Sequence, residues 1–373
     1  MPQKIIQGTD DLSQILKEIN SKKLFLVVDS SFQFLNIKEV IESLDVEKFM
    51  FSDFTPNPLY EQVCMGIDLL KQKKCDSILA IGGGSAIDVA KCIKLAVLAK
   101  EGNNSIIPPL VRDHINIDGS QLPFIAIPTT AGTGSESTRN AVMYFEGAKQ
   151  TITNEGLLPD YAILEPNVLK TLPLYQKKCT MMDALCQGIE SWWSINSTQE
   201  SYEYSRKTIE LIMQNWRAYI FGNDTEAASK IMLGANYGGR AINITQTTAA
   251  HAMSYKITSL YSFPHGHAVA VCLPYIWEYM LTHISYTDDS RGPEYLSQIF
   301  SMISNSMGAN NPQEAIYVFR TMMEEMGLVQ PVDNERMQSI EKLALSVNPI
   351  RLKNNPIKLD TKTIRELYKR IVK

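Results

Sequence analysis

The stretch Ile78–Lys91, I-L-A-I-G-G-G-S-A-I-D-V-A-K, joins a short apolar run to a helical pattern through three consecutive glycines. An apolar run of this length that ends at a turn is typical of a buried strand. Gly82, Gly83 and Gly84 can adopt positive φ and let a phosphate approach the backbone. Ser85 can cap the helix that follows, where exposed amides and the helix dipole favour an anion. Because the pattern is neither G-x-G-x-x-G nor a P-loop, a tight turn without a ligand is the alternative.

The same alternation of apolar runs and helical patterns extends to both sides of this stretch. Buried strands are predicted at Lys23–Asp29, Lys48–Ser52, Ser77–Ile81, Phe124–Ile127 and Tyr161–Leu164. Helices are predicted at Ile37–Leu44, Leu59–Lys73 and Ala86–Ala99. Strands separated by helices predict an α/β domain with a parallel sheet and crossover helices.

The pattern changes near Leu172–Tyr175, L-P-L-Y, and beyond it the chain is helical with few β-rich runs. Pro173 suits the start of a helix, and a chain of 373 residues favours two domains. We therefore predict an α/β dinucleotide-binding domain over residues 1–172 and an all-α metal- and substrate-binding domain over residues 173–373. Prolines, asparagines and glycines predict a long loop over Glu101–Gln121.

Composition excludes several classes of protein. The net charge is −4 without a long basic run, which argues against nucleic acid and anionic membranes as partners. No apolar run reaches the roughly 18–20 residues that span a bilayer, and the first ten residues lack the apolar segment of a signal peptide. The six cysteines are scattered without a C-x-x-C pair, which predicts reduced thiols in a cytoplasmic protein.

A second loop, I-P-T-T-A-G-T-G-S-E-S-T over 127–138, follows another predicted strand. Thr129, Thr130, Thr133 and Ser135 supply hydroxyls that can surround the other side of a pyrophosphate. A flexible loop is the alternative for this segment alone. Two such loops at the carboxyl ends of parallel strands fit a dinucleotide at the edge of the sheet.

Asp29 ends the first predicted strand. A carboxylate at this position can accept a hydrogen bond from a ribose hydroxyl and repel a 2′-phosphate, which would favour NAD(H) over NADP(H). A turn-forming aspartate is the alternative.

Candidate metal ligands lie in the second half of the chain. The stretch M-M-D-A-L-C-Q-G-I-E-S-W-W places Asp183 and Gln187 four residues apart, on one face of a helix. Three of the five histidines, His251, His265 and His267, lie within seventeen residues. With Asp183 and Gln187, His251 and His265 can surround one cation in a cleft between the domains. The alternative is a buried helix with two polar residues.

Six motifs occur in order along the chain: F-T-P-N-P (54–58), I-G-G-G-S-A-I-D-V-A-K (81–91), I-P-T-T-A-G-T-G-S-E-S-T-R (127–139), L-P-D-Y-A-I-L-E-P (158–166), D-A-L-C-Q-G-I-E (183–190) and P-H-G-H-A (264–268). On these motifs the sequence resembles the iron-dependent (group III) alcohol dehydrogenases over nearly its whole length. The resemblance implies the dehydroquinate synthase-like fold, with an α/β dinucleotide-binding domain followed by an all-α domain. It also implies hydride transfer between NAD(P)H and a carbonyl, assisted by a divalent metal, iron or zinc.

The ligands of the family correspond here to Asp183, His251 and His265. The fourth ligand position falls on Gln187, where the family usually has histidine. A further family histidine near the substrate falls on Tyr255. An aspartate and two histidines can still hold zinc with a water in the open position. Gln187 would then ligate weakly or bind that water.

The cofactor motif of the family corresponds to the three glycines with Ser85, and to Thr129, Thr130 and Thr133 beside the phosphates. Asp88 and Lys91 match family positions near the nicotinamide, and an ion pair on the face of the helix is the alternative for them. Candidates for the proton donor are His267, Tyr255 and a bound water.

Three stretches, 189–201, 241–258 and 264–270, are similar to the phosphonoacetaldehyde reductases, also called hydroxyethylphosphonate dehydrogenases. A phosphonate needs cationic donors, and Arg139, Arg240 and Lys256 lie in or beside these motifs. Surface ion pairs or contacts with the cofactor are the alternative. We therefore predict a homodimeric enzyme acting on a small aldehyde or alcohol that carries a phosphonate. The other possibilities are a dehydrogenase of other short-chain alcohols, an NAD-using cyclase of the dehydroquinate synthase type, and a nucleotide-binding protein without catalysis.

Overall fold

The computed structural model describes residues 2–99 and 117–373. The loop predicted over Glu101–Gln121 therefore lies outside the described residues except for its last five, of which Gly119–Gln121 form a 3₁₀ turn. The chain forms two compact units, Met1–Leu172 and Pro173–Lys373. In the described ranges, no helix has both the length and the apolar character needed to cross a membrane.

The first unit is built around a parallel sheet. Its strands are β1 (Lys4–Gln7), β2 (Lys23–Val28), β3 (Glu47–Phe51), β4 (Ser77–Gly82), β5 (Phe124–Pro128), β6 (Asn140–Phe145), β7 (Ala148–Thr153) and β8 (Tyr161–Leu164). Its helices are α1 (Leu12–Glu18), α2 (Lys38–Glu42), α3 (Tyr60–Lys73) and α4 (Gly84–Leu98). Among the described residues, six strands form one sheet in the order β1-β8-β5-β4-β2-β3, and all its pairs are parallel. Strands β6 and β7 form a separate antiparallel hairpin.

All five predicted strands are confirmed, with ends shifted by at most one residue. Strands β4, β5 and β8 are buried along their whole length, as expected for a parallel sheet covered on both faces. The order of the strands reverses between β2 and β4, since β2 continues to β3 on one side and β4 continues to β5 on the other. Ligands of open α/β sheets bind beside the carboxyl ends of strands at such a point. Asp29 follows β2 at this position, and Gly82 ends β4.

The second unit is helical, which confirms the predicted fold class. Its helices are α5 (Leu174–Trp193), α6 (Gln199–Phe221), α7 (Thr225–Thr245), α8 (Ala249–Tyr261), α9 (His265–Thr282), α10 (Pro293–Ser306), α11 (Pro312–Glu325), α12 (Arg336–Ser346) and α13 (Thr361–Ile371). Helix α5 packs against α6, α7 and α9. It is buried on all sides from Met181 to Trp193, as expected for a helix at the centre of a domain. Polar side chains in this part of α5 must therefore be satisfied by neighbouring helices.

Candidate active site

Three helices of the second unit bring Asp183, His251 and His265 together. One ligand atom from each of the three side chains lies within 4.8 Å of the others. Asp183 Oδ1 is 3.3 Å from Nε2 of His251 and 3.9 Å from Nε2 of His265. Asp183 and His251 are buried, whereas the side chain of His265 is 37% exposed. One carboxylate and two imidazoles, open on the side of His265, form a donor set that fits zinc or iron.

The close approach of α9 to α5 depends on Gly266. Helix α9 begins at His265 directly after Pro264. A Cβ atom at Gly266 would clash with the carbonyl oxygen of Cys179 and lie 2.8 Å from Cβ of Asp183. The glycine in P-H-G-H therefore lets the first turn of α9 contact α5, which places His265 beside Asp183.

We predict that Gly266→Ala destabilises the second unit by about 3 kcal/mol, because the added methyl group forces α9 away from α5. Thermal or denaturant unfolding measures this loss. The exposed Gly308 is not a suitable control site, because its φ of +77° would strain an alanine whatever the packing. Gly234→Ala is the better control, since a Cβ there meets its nearest neighbours at about 3.4 Å. Equal stability of the Gly266 variant and the unchanged protein would contradict this packing argument.

A buried carboxylate, Glu190, orients His251. Glu190 is 0% exposed, and its Oε1 accepts hydrogen bonds from the Thr248 hydroxyl at 2.7 Å and from the Ala250 amide at 2.8 Å. Its Oε2 pairs with Nδ1 of His251. Because an ionised carboxylate only accepts, Nδ1 carries hydrogen, and Nε2 faces Asp183. Glu190 thus caps the N-terminus of α8 and directs the metal-binding nitrogen of His251 toward the cluster.

The electrostatics of the cluster favour a positive charge between the two carboxylates. Burial lowers the pKa of His251, but the charges and hydrogen bonds of Glu190 and Asp183 outweigh this effect and raise the pKa from 6.5 to about 9. A proton on His251 or a cation bound to the cluster supplies that charge. Binding of a metal therefore releases a proton from the site near neutral pH.

Gln187 lies one turn after Asp183 on α5 and is buried. Its amide oxygen is 3.3 Å from the position that a Cβ atom would take on Gly238 of α7. The side chain is therefore packed toward α7. Ligation of a metal by Gln187 stays a prediction.

Tyr255 lies beside the cluster. Its ring stacks on the ring of His265, with centroids 5.6 Å apart and an interplanar angle of 6°. Its hydroxyl accepts a hydrogen bond of 3.1 Å from a guanidinium N–H of Arg351. Tyr255 follows His251 by four residues on α8, so both side chains lie on one face of that helix.

His267, one of the candidate proton donors, bonds to the protein through both ring nitrogens. Its Nε2 is 2.8 Å from the carbonyl oxygen of Val329, and its Nδ1 is 2.8 Å from the Tyr175 hydroxyl. Since a carbonyl only accepts, Nε2 donates and the tyrosine donates to Nδ1. The ring is buried and stacks on Phe263 at 4.1 Å, and burial lowers its pKa. We therefore interpret His267 as a packing residue, because both ring nitrogens bond to the protein.

The glycine turn of the first unit differs in detail from the prediction. Helix α4 begins at Gly84 with Gly83 as its N-cap, and the hydroxyl of Ser85 accepts a hydrogen bond from the Asn57 amide at 3.4 Å. Ser85 is therefore not the helix cap. None of the three glycines has positive φ. Close packing requires glycine at position 82, where a Cβ would lie 2.7 Å from Oδ2 of Asp29, whereas a Cβ at Gly83 would make only ordinary contacts.

Asp29 contacts this turn directly. Its Oδ2 accepts a hydrogen bond from the Gly83 amide at 3.2 Å, and its Oδ1 accepts from the amide and hydroxyl of Ser31. Asp29 thus forms a local turn and also lies beside the N-terminus of α4. The predicted ribose contact and the turn-forming alternative are both compatible with this position.

The second predicted phosphate loop meets the glycine turn. A Cβ at Gly84 would lie 3.0 Å from the Thr133 side chain, and one at Gly83 would lie 3.6 Å from the Thr130 methyl group. Thr129 is buried directly after β5, and its amide donates to the carbonyl of Gly82 at 3.0 Å. The structure therefore places these threonines around one turn.

Lys91 and Asp88 shape this loop from within. Lys91 is 0% exposed, and its ammonium donates to the Ser135 carbonyl at 2.6 Å, to the Thr138 hydroxyl at 3.1 Å and to the Asn140 carbonyl at 2.8 Å. Asp88 accepts from the Ser135 hydroxyl at 2.7 Å. Burial lowers the pKa of Lys91 to about 8 and raises that of Asp88. These bonds show that both groups support the loop, and their role near the nicotinamide stays a prediction.

The three cations predicted to bind a phosphonate have protein partners or lie on a different helix face from the cluster. Arg139 forms an ion pair with Glu155. Arg240 lies over the rings of Tyr204 and Tyr237. Lys256 is exposed, and it follows His251 by five residues on α8, so the two side chains lie on different faces. Among the described residues, Arg351 contacts Tyr255, which stacks on His265, and no motif of the sequence singled out this arginine.

Comparisons with known proteins identify the family. The model "Iron-containing alcohol dehydrogenase" matches residues 2–166, and "Fe-containing alcohol dehydrogenase family, C-terminal" matches residues 178–372. The chain belongs to the iron-containing alcohol dehydrogenase family. The family, fold and enzyme class predicted from the sequence are confirmed, and neither model supports the cyclase alternative.

Individual relatives agree with this assignment. Long-chain-alcohol dehydrogenase 1 of Geobacillus thermodenitrificans is 30% identical over 73% of this chain and 69% of its own length. An alcohol dehydrogenase of Thermococcus barophilus is 27% identical over 98% of this chain and 97% of its own. The crystal structure of sulfoacetaldehyde reductase from Bifidobacterium kashiwanohense in complex with NAD⁺ has a TM-score of 0.88 at 24% identity, covering 99% and 97% of the two chains. The last of these similarities concerns the fold alone.

Proposed function

We propose that this protein is a metal-assisted, NAD(P)H-dependent aldehyde reductase and alcohol dehydrogenase for a small substrate with an anionic group, with phosphonoacetaldehyde as the best candidate. The observation that carries the proposal is the cluster of Asp183, His251 and His265. Family membership supports the reaction class, and the subgroup similarity of residues 189–201, 241–258 and 264–270 supports the phosphonate.

The residues present fit a divalent cation. The cluster offers one carboxylate oxygen and two imidazole nitrogens, and Glu190 already holds His251 in the tautomer that a metal requires. A divalent cation bound there supplies Lewis acidity, which polarises the carbonyl oxygen of the substrate. We propose Asp183, His251 and His265 as its ligands. The partial exposure of His265 leaves the substrate access from that side.

The first unit supplies the binding site for the nicotinamide cofactor. We propose that the pyrophosphate binds at the N-terminus of α4, between the glycine turn and Thr130 and Thr133. Asp29 would accept from a ribose hydroxyl beside Gly83, which favours NAD(H). A dihydronicotinamide held there would supply the hydride for the carbonyl carbon, and the alkoxide oxygen of the product would need a proton.

We propose Tyr255 as the donor of that proton. Its ring stacks on His265, so its hydroxyl is next to a ligand of the cluster. Arg351 donates a hydrogen bond to the phenolic oxygen. A bound water remains the other candidate.

We also propose a cytoplasmic homodimer. The six cysteines are all free thiols, five of them buried, which supports a reducing compartment. Size-exclusion chromatography with light scattering measures the assembly.

Removal of the metal is the first test of the proposed activity. We expect the purified protein to oxidise NADH with phosphonoacetaldehyde, to lose this activity after exhaustive chelation, and to regain it when Zn²⁺ or Fe²⁺ is returned. Thermal unfolding before and after chelation is the control for an intact fold. Turnover that survives complete removal of metal would contradict the role of the cluster. Turnover with neutral aldehydes but not with phosphonoacetaldehyde would contradict the proposed anionic substrate.

A further inference from the structure

Arg351 contacts Tyr255, and Tyr255 in turn stacks on His265 of the cluster. Its guanidinium carbon is 5.0 Å from the centre of the Tyr255 ring, and that ring stacks on His265 at 5.6 Å. Arg351 and Tyr255 are both partly buried. The chain therefore connects a permanent positive charge to the cluster through the ring of Tyr255.

We propose that Arg351 binds the anionic group of the substrate, an oxyanion attached one carbon away from the carbonyl. This inference rests on the proposed function and adds the residue that selects the substrate class. A guanidinium presents five N–H donors in a planar fork that matches phosphonate or sulfonate oxygens. Partial burial strengthens such a contact relative to water.

The short substrate narrows the choice of cation. In phosphonoacetaldehyde a single carbon separates the carbonyl from phosphorus, so the residue that binds the anion must lie close to the cluster. Arg351 is connected to the cluster by two contacts, through Tyr255 and His265. Lys256 lies on another face of α8, and Arg240 is packed over two tyrosines of the α6–α7 pair.

The segment that carries Arg351 is held in place by polar contacts. Arg351 lies in a 3₁₀ turn, Pro349–Leu352, that the side chain of Asn348 caps by accepting from the Ile350 amide. The Asn354 side chain then donates to the carbonyl of Thr247, the residue before the N-cap of α8, at 3.2 Å. These bonds connect the turn to the helix that carries His251 and Tyr255. A cation fixed in this way binds an anion at a low cost in side-chain entropy.

The experiment compares a charged with a neutral substrate. For Arg351→Ala we expect kcat/KM for phosphonoacetaldehyde to fall by about 100-fold, mainly through KM, because a charge-assisted contact is lost. For propionaldehyde, which lacks the anion, we expect a clearly smaller fall, because the hydrogen bond to the Tyr255 hydroxyl is lost but no contact with an anion. Arg351→Lys keeps the charge without the fork and should give an intermediate loss with the phosphonate. Inhibition of propionaldehyde reduction by methylphosphonate gives a second readout. This inhibition should weaken in the Arg351 variants in the same order as kcat/KM for phosphonoacetaldehyde.

Arg320→Ala is the matched control. Arg320 also lies over a tyrosine, with its guanidinium carbon 4.8 Å from the Tyr275 ring, and it pairs with Glu278. We expect this variant to leave kcat/KM for both substrates unchanged. An equal fall in kcat/KM for both substrates in Arg351→Ala would overturn the proposal, because Arg351 would then only support Tyr255. An unchanged preference for the phosphonate would overturn it as well.

The outcome for the unchanged protein separates this inference from the proposed function. Reduction of propionaldehyde without any preference for phosphonoacetaldehyde or sulfoacetaldehyde would leave the reductase intact and overturn the role of Arg351. A preference for one of the two anions identifies which oxyanion the site takes. Absence of turnover with any aldehyde would instead overturn the proposed function, while binding of methylphosphonate, measured by calorimetry, still decides whether Arg351 holds an anion.

Discussion

Asp183→Ala is expected to remove the metal and nearly all of the activity. Asp183 is the only carboxylate of the three-residue cluster, and its Oδ1 lies 3.3 and 3.9 Å from the two histidine nitrogens. Without it the site keeps two imidazoles and loses the charge that attracts a cation. The Lewis acidity of a bound cation is worth several kcal/mol, so we expect kcat/KM to fall by about 1000-fold.

Metal content per chain and kcat/KM, measured on the same preparation, test this expectation. The fold should survive, because Glu190 still pairs with His251 in the variant. Asp224→Ala serves as a control elsewhere in the same unit, since Asp224 only caps α7 by accepting from the Ala227 amide. A variant at Asp183 that retains a full equivalent of metal and normal turnover would show that the cluster is not the catalytic site.

Glu190→Gln is expected to cause the second large loss, although Glu190 does not face the cation. The glutamine keeps the size of the side chain and can still accept from Thr248 and Ala250. Its amide nitrogen would then face Nδ1 of His251 and donate to it. The imidazole must take the other tautomer, with hydrogen on Nε2, and this nitrogen can no longer bind a metal.

We therefore expect the affinity for a divalent cation to fall by about 100-fold in Glu190→Gln. Titration with Co²⁺, followed by its visible absorption, measures the affinity without reference to activity. Glu210→Gln is the control, because Glu210 pairs with Arg206 on α6. If Glu190→Gln binds Co²⁺ as tightly as the unchanged protein does, the carboxylate does not set the tautomer of His251.

The sequence is sufficient for the main features of the fold because they depend on local patterns. The apolar runs of β2, β4, β5 and β8 are continuous, and the glycine turn marks the end of β4 without ambiguity. Strand β1 has four residues and pairs only with β8, so its pattern is too short to detect. The β6–β7 hairpin was missed for another reason, since its two-residue turn at Glu146 and Gly147 lacks the usual Asn-Gly or Asp-Gly pair.

The candidate site was predictable where residue type and spacing carry the information. Aspartate and histidines are the residues that metals require, and those predicted do lie together. Glu190 had a detectable signal, because it follows Asp183 by seven residues and so shares its face of α5. Arg351 had none, because its contact with Tyr255 joins segments 96 residues apart.

The hydrogen-bond partners of several predicted site residues come from distant segments and could not be predicted. His267 bonds to Val329, and Lys91 bonds to Asn140, and neither contact follows from helical or strand periodicity. Burial of a polar side chain requires such partners, so a buried histidine or lysine is more often satisfied by the protein than held ready for a substrate.

The central claim is that one divalent cation binds Asp183, His251 and His265. The most direct measurement is an anomalous difference map at the zinc absorption edge from crystals grown with one equivalent of Zn²⁺ per chain. The account predicts a single strong peak about 2.0–2.2 Å from a carboxylate oxygen of Asp183 and from Nε2 of both histidines. A peak at any other position, or none near these three side chains, would contradict it.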